Sequence, residues 1–227
     1  MGPLCVRFRL VTPMRSPEQP IHLDALLAWA AVEAAHGDLG AQNTLPLERY
    51  TGADGRWVWK ASRVFIPVVA RGREPMIRSF EPWNWGDDKG TVYLKSPKIL
   101  KAGTGPFKGH LFGVSTLQAE AAYAWCVGDR AQIAELLVRV TNLGKLRRLD
   151  FGRIAQITVA EDPDALERWQ VRALPDERPG YRTSLQTLRP PYFNRALREP
   201  AWEPPAALVA QITQSVAGDR PRAPTPR

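Results

Sequence analysis

An α+β fold, in which two helices cover one face of an antiparallel sheet, is predicted by three features of this 227-residue sequence. Apolar side chains alternate along residues 4–10, as they do in a half-buried strand. A segment with helical periodicity follows, and a second strand–helix–strand succession lies between residues 110 and 160. This order of elements is that of a ferredoxin-like (RRM-type) domain.

The first helix is predicted over residues 23–36, where apolar side chains recur at helical spacing and Gly37 suits the C-terminus. A second helix is predicted over residues 130–142, with Asp129 as its N-terminal cap. The remaining strands are predicted from their apolar residues and from the turn residues between them: 56–69, 76–82, 110–117, 121–127, 153–160 and 168–174.

The sequence divides into one domain and an extension. Residues 1–175 are predicted to form the ferredoxin-like domain, with a Gly-, Lys- and Pro-rich insertion at about 83–108 that has little helical periodicity. Residues 176–227 are a Pro/Arg-rich C-terminal extension. We expect this tail to be irregular and its last ten residues to be disordered.

The charge of the chain predicts a polyanionic partner, because the net charge is +8 and the pI is near 9.9. The positive charge is unevenly distributed. Five lysines and no acid lie between residues 89 and 108, and five arginines and no acid lie between residues 178 and 198. We therefore expect one positive face that binds nucleic acid, with a solvated basic surface as the alternative.

Membrane segments, signal peptides, metal sites and cofactors are not predicted. The longest apolar stretch, residues 23–35, is interrupted by Asp24 and Glu33, and charges interrupt the apolar run at the N-terminus. The three histidines do not stand at metal-ligand spacing from one another or from a cysteine. The expectation is a cytoplasmic protein that requires no cofactor.

The strongest local signal is a glycine- and arginine-rich loop, residues 142–153, between a helix end and a strand. Its glycines suit a left-handed helix end and a close backbone approach to a partner. Four cations surround them against one acid, and arginine can bind phosphate oxygens in a bidentate manner. The candidate RNA-binding residues are Gly144, Lys145, Arg147, Arg148, Gly152 and Arg153. A capped helix followed by a solvated loop is the alternative interpretation.

Three further basic residues are candidate RNA contacts. Lys60 and Arg63 lie at the end of the WVWKAS segment of the strand predicted over residues 56–69, and Lys108 follows the insertion. Trp57 and Trp59 share one face of that strand and are predicted to belong to the core.

Several short stretches stand in a distinctive order along the chain: Ile21–Trp29, Trp57–Ser62, Gly105–Lys108, Gly144–Arg148 with Phe151–Gly152, and Leu188–Phe193. Together, over about residues 4–195, they resemble the Cas-five-like RAMP subunit of type IV CRISPR effector complexes. The resemblance implies a subunit that binds the 5′ handle of the guide RNA (crRNA), caps a filament of backbone subunits and helps to position the guide for target DNA pairing.

The same resemblance implies the partners: guide RNA, the backbone subunits, the large or small subunits of the complex and, indirectly, target DNA. The insertion would be a thumb that bends the guide at its first spacer position. Its candidate base-stacking and phosphate-contacting residues are Trp83, Trp85, Lys89, Lys95, Lys98 and Lys101. Packing of the two tryptophans onto the domain is the alternative.

Catalysis is not expected, although related RAMP proteins that cut guide precursors often use a histidine as general base. His22, just before the first helix, is the candidate for that role, and a histidine satisfied by the backbone is the alternative. Two rival functions stay open. One is a guide-processing endonuclease of the same superfamily, and the other is a general RNA-binding protein outside CRISPR.

Overall fold

The computed structural model describes residues 1–78 and 110–218. These ranges contain antiparallel sheets and four helices, so the fold is mixed α and β. The strands are β1 (Gly2–Leu10), β2 (Met14–Arg15), β3 (Arg49–Thr51), β4 (Trp57–Trp59), β5 (Ala70–Arg78), β6 (His110–Gln118), β7 (Ala121–Gly128), β8 (Ile154–Glu161), β9 (Arg182–Thr187) and β10 (Arg198–Glu203). The helices are α1 (Leu23–Ala34), α2 (Arg130–Leu137), α3 (Ala165–Arg168) and α4 (Ala206–Gly218).

The described residues fall into two compact units. The larger unit comprises Met1–Ala70 and the chain from Leu117 onward, and the smaller one comprises Arg71–Thr116. Within the smaller unit, β5 and β6 are neighbouring strands. Among the helices in the described ranges, none combines the length and the apolar character that a bilayer crossing requires.

The central sheet of the larger unit is built around β1, which pairs antiparallel with β7 on one side and β8 on the other. Val6 lies opposite Ala124 of β7 and Val159 of β8. The alternation predicted for β1 is confirmed, because Leu4, Val6, Phe8 and Leu10 are all buried. Since β1 occupies the middle of the sheet, these four buried residues lie at the centre of the main core.

Helices α1 and α2 cover one face of this sheet. Leu23 and Leu27 of α1 and Ile133 and Leu137 of α2 join the buried residues of β1 in one core cluster. The side chain of Asp129 accepts a hydrogen bond from the Gln132 amide at 2.9 Å, as predicted for the N-cap of α2. Helix α2 ends at residue 137 rather than 142, followed by a turn in which the Val140 amide donates to Leu137 O.

The opposite face of the sheet is partly covered by the C-terminal part of the chain. Trp125 of β7 packs with Phe65, with Ala165 of α3 and with Val216 of α4 in a second cluster. The prediction of an irregular tail is therefore wrong for the described residues: residues 182–203 form the antiparallel hairpin β9–β10, and α4 follows it. The apolar face of α4 explains the difference, since Val216 is buried in this cluster and Leu208, Val209 and Ile212 pack against it partly buried. The disorder predicted for the end of the chain falls on residues 219–227, which lie outside the described residues.

Three predicted strands differ from the structure in the described residues. The segment 168–174 contains the end of α3 and tight turns rather than a strand. The strand predicted over residues 56–69 is regular only in β4, and Ala61 and Phe65 then form isolated bridges to β7. Its backbone divides its hydrogen bonds between two neighbours: the Phe65 amide donates to Tyr123 O, and the Val64 amide donates to Ile21 O. Strand β5 begins at residue 70 rather than 76.

A buried ion pair connects these elements. The guanidinium of Arg172 is 3.0 Å from the carboxylate of Asp24 in α1, and their side chains are 1% and 0% exposed. Arg172 also donates to the carbonyl oxygens of Trp59, Ala61 and Leu188. The Tyr192 hydroxyl donates to Asp24 at 2.7 Å and accepts from Arg172. The network thus joins α1, the chain after β4, the turn after α3 and the segment after β9.

Replacing Arg172→Met should lower the free energy of unfolding by about 3–5 kcal/mol, because the Asp24 carboxylate would be left buried without its counter-charge. Chemical denaturation measures this change. The control is Arg153→Met, whose ion pair with Asp150 is more than half exposed, and its effect should stay below about 1 kcal/mol. Equal small effects of both variants would contradict the importance of the buried network.

Candidate nucleic-acid interface

The loop between α2 and β8 adopts a conformation that depends on its glycines. Gly144 and Gly152 have φ angles of +82° and +65°, in the left-handed region. A Cβ atom on Gly152 would lie 2.2 Å from the carbonyl oxygen of Leu143, so no other residue fits there without a backbone shift. The close approach predicted for Gly152 is thus made to the chain itself.

Thr12, two residues after the end of β1, holds the backbone of this loop. The hydroxyl of Thr12 donates to the carbonyl oxygen of Asp150 at 2.6 Å and accepts from the Arg153 amide at 2.8 Å. The side-chain amide of Asn142 donates to Phe151 O at 3.1 Å. These contacts fix the backbone of the loop, and its charged side chains project from it into solvent.

The four predicted cations of the loop are all exposed, but they differ in their contacts. Lys145 pairs with Glu18 at 3.3 Å, and Arg153 pairs with Asp150 at 3.6 Å. The guanidinium of Arg147 lies over the ring of Trp29, 4.7 Å from its centroid. Arg148 makes no side-chain hydrogen bond or ion pair within residues 1–78 and 110–218. Exposed ion pairs contribute little stability, so a phosphate can replace these carboxylates at small cost.

The other predicted contacts are distributed differently. Lys60 forms a half-buried ion pair with Glu48 at 2.8 Å. Arg63 lines a separate pocket with His22. The remaining candidates lie outside the described residues: Trp83, Trp85, Lys89, Lys95, Lys98, Lys101 and Lys108.

Trp57 and Trp59 belong to a cluster of arginines and aromatic rings that the sequence does not reveal. Trp59 is buried in the main core, as predicted, and its ring meets that of Trp57 edge-on at 5.0 Å. Trp57 is half-buried, with the guanidiniums of Arg49 and Arg189 at 4.4 and 4.6 Å from its ring centroid. Only the folded chain brings Arg189 to this ring, since the two residues are far apart in sequence.

The pocket that contains His22 and Arg63 has a volume of about 340 Å³. It lies between the start of α1 and the β9–β10 hairpin. The ring of His22 stacks on that of Tyr192, with centroids 4.6 Å apart and planes 11° from parallel. Burial, and then the positive charges of Arg172 and Arg63, lower the pKa of His22 well below its ordinary value. The imidazole is therefore neutral at physiological pH.

Comparison with known proteins yields one family. A family model described as Csf3, CRISPR type IV associated protein Csf3, matches residues 2–204. No curated protein matches the chain. The matched span contains both the loop between α2 and β8 and the pocket.

The neutral state of His22 predicts a pH-dependent stability. The unfolded chain binds a proton at His22 near the ordinary pKa of 6.5, whereas the folded chain does not. The free energy of unfolding should therefore decrease as the pH falls below about 6.5, with a slope approaching 1.4 kcal/mol per pH unit from this residue.

Denaturation at several pH values measures this component, which should be absent from the His22→Asn variant. The matched control is His36→Asn, because His36 is exposed and tolerates the same exchange at its positive φ. This control should keep the pH dependence of the parent protein. A pH dependence that is identical in the His22→Asn variant would show that His22 is not the group responsible.

Proposed function

We propose that this chain, which belongs to the Csf3 family of type IV CRISPR-associated proteins, binds the 5′ handle of the guide RNA. The family makes it a subunit of a CRISPR complex, which it forms with other subunits. Handle binding, capping of the backbone filament and placement of the guide for target DNA pairing are the finer parts of the proposal. The site of action would be the cytoplasm.

The basic loop between α2 and β8 is the observation that carries this proposal. Its backbone is fixed by Thr12 and by the two left-handed glycines, while its cations remain at the surface. A rigid loop with exposed positive side chains loses little backbone entropy when it binds a charged strand. Each phosphate contact would also release counterions from the RNA.

The topology supports the proposed ferredoxin-like (RRM-type) class, on which many RNA-binding proteins are built. The sheet order is β8–β1–β7, and Ala61 and Phe65 bridge to the other edge of β7. Taking the bridged segment as the second strand, the order becomes fourth, first, third, second, with one helix after the first strand and one after the third. That is the order of a ferredoxin-like sheet.

The loop variant Lys145→Ala with Arg148→Ala should weaken binding to handle RNA and make it less dependent on salt. The slope of log affinity against log salt should fall by about 0.7 for each phosphate that is no longer bound, or about 1.4 in total. Arg147 is left in place because its stacking over Trp29 supports the loop. Filter binding or fluorescence anisotropy at several salt concentrations measures the slope.

The matched control removes two exposed arginines outside the loop, Arg130→Ala with Arg182→Ala, and so makes the same change in net charge. Its slope should stay at the parental value. If both variants shift the slope equally, the attraction comes from the overall charge, and the loop is only a solvated helix cap. Equal affinity for handle and scrambled RNA would instead favour a general RNA-binding protein.

We also propose that the chain is a binding subunit without nuclease activity. The ring of His22 is stacked on Tyr192, and its Nδ1 atom is buried without a hydrogen-bond partner in the described residues. A general base is commonly oriented by a hydrogen bond from its second ring nitrogen to a neighbouring group, and Nδ1 of His22 has none among the described residues. This arrangement favours a structural histidine.

Purified protein should therefore leave repeat RNA intact over several hours, both with and without divalent metal ions. Denaturing gel electrophoresis of end-labelled RNA tests this. Cleavage at one phosphodiester bond that disappears in the His22→Ala variant would identify the chain as a guide-processing endonuclease.

A further inference from the structure

We propose that the pocket beside His22 binds one nucleotide monophosphate unit, held by its phosphate and by polar groups that have no partner in the protein alone. This pocket is separate from the loop between α2 and β8. Its ligand is either a free nucleotide or one nucleotide of a bound RNA, and only the second source rests on the proposed function.

The first observation is a concentration of unsatisfied polar atoms around this pocket. Three of its lining residues carry a buried side-chain atom without a hydrogen-bond partner in the described chain: His22 Nδ1, Arg172 Nε and Thr187 Oγ1. The Thr187 side chain is buried, with the residue only 8% exposed. Buried polar groups are satisfied in most native proteins, so this cluster of orphaned atoms points to a ligand that moves the covering side chains aside when it binds.

The second observation is the charge of the pocket. Arg172 is neutralised by Asp24, and Glu18 is paired with Arg15 and Lys145. Arg63 and Arg198 also line the pocket, and neither forms an ion pair among the described residues. Two arginines thus face a single remaining acid, Glu203, whose carboxylate attracts Arg63 at longer range. Such a balance favours an anion, and guanidinium groups suit phosphate.

The size and the remaining groups of the pocket select a nucleotide over inorganic phosphate. A volume of about 340 Å³ lies within the range of small-molecule sites and far exceeds one phosphate ion. The Glu203 carboxylate accepts a hydrogen bond from Gln186 at 3.3 Å and has capacity for donors such as a ribose hydroxyl or a base amino group. The exposed side chain of Leu185 offers an apolar wall for a base.

One residue, Glu18, connects the pocket with the basic loop between α2 and β8. Glu18 lines the pocket, and its carboxylate pairs with Lys145 of the loop at 3.3 Å. An RNA strand whose phosphates contact Lys145 therefore passes within one side chain of the pocket. This continuity makes a nucleotide of the bound RNA one of the two sources of the ligand.

The first arm of the test uses adenosine 5′-monophosphate, with inorganic phosphate for comparison, and measures binding to the full chain by calorimetry. We expect saturable binding of the nucleotide that is at least ten-fold tighter than that of phosphate. Arg63→Gln should weaken it by about ten-fold or more, the usual effect of removing a charge-assisted hydrogen bond. Thr187→Val should weaken it several-fold.

Thermal unfolding of the variants separates a loss of nucleotide contacts from a loss of folding. Thr187→Val replaces an unsatisfied buried hydroxyl by a group of similar shape, so its thermal unfolding midpoint should stay equal or rise. The control Arg130→Gln removes an exposed arginine outside the pocket and should bind the nucleotide as the parent does. Both variants can therefore be compared with the parent as folded proteins.

The second arm uses handle RNA in which one base at a time is removed. If the pocket holds a nucleotide of the RNA, one abasic position should weaken binding to the parent by about ten-fold. The same position should have no effect in Arg63→Gln, because that variant no longer holds the nucleotide. A double-mutant cycle between the abasic position and Arg63→Gln measures this coupling.

Two outcomes overturn the inference. One is that Arg63→Gln and Thr187→Val bind the nucleotide as the parent does in the first arm while the second arm shows no coupling to Arg63, and the other is that phosphate binds as tightly as the nucleotide. Nucleotide binding in the first arm alone assigns the pocket to a free nucleotide, and coupling in the second arm assigns it to RNA. The handle-binding proposal is judged separately, by whether the parent protein prefers handle RNA to scrambled RNA.

Discussion

The buried pair of Arg172 and Asp24 is the interaction on which the rest of this structure depends. Taking two charges out of water is costly, and hydrogen bonds to other donors and acceptors offset part of that cost. Here the guanidinium also serves three carbonyl oxygens, and the carboxylate also accepts the Tyr192 hydroxyl. These partners come from segments separated by more than a hundred residues. The pair therefore specifies one arrangement of those segments, in addition to stabilising it.

The same network also shapes the pocket beside His22. Arg172 and Tyr192 line the pocket, so the pocket exists only when the C-terminal hairpin is docked against α1. Helices α3 and α4 meanwhile cover part of the sheet face that faces away from α1 and α2. In many RNA-binding domains of the RRM type an exposed sheet face carries the RNA. In this chain four exposed cations also lie beside the sheet, on the loop between α2 and β8.

Local features of this fold can be predicted from the sequence, and long-range ones cannot. The alternation of β1 and the Asp129 cap follow from neighbouring residues alone. The left-handed conformation of Gly144 and Gly152 is likewise predictable in kind, because only glycine adopts it without strain. By contrast, Asp24 looks in the sequence like an interruption of an apolar helix, and Arg172 looks like the polar position of a strand. Their roles appear only when residues 148 positions apart meet.

The candidate site shows the same division. The loop cations can be found because glycines and basic residues are adjacent in sequence, but their engagement with Glu18, Asp150 and Trp29 cannot. The position of His22 before a helix suggests catalysis, whereas its stacking on Tyr192 depends on a residue of the C-terminal segment. The regular apolar pattern of the segment 56–69 predicts a single strand. That pattern does not show that the segment shares its backbone hydrogen bonds between β7 and the residues around the start of α1.

The carboxylate of Glu18 gives the basic loop a built-in competitor. It already holds Lys145 at 3.3 Å and Arg15 at 2.7 Å, so an incoming anion at Lys145 replaces one negative group by another. Binding of an anion at Lys145 is therefore an exchange of negative groups, not the occupation of an empty site. A strand with closely spaced phosphates can compete at several positions at once, while an isolated carboxylate or chloride ion gains nothing over the resident group. The loop would thus distinguish polyanions from the small anions of its surroundings by charge density alone.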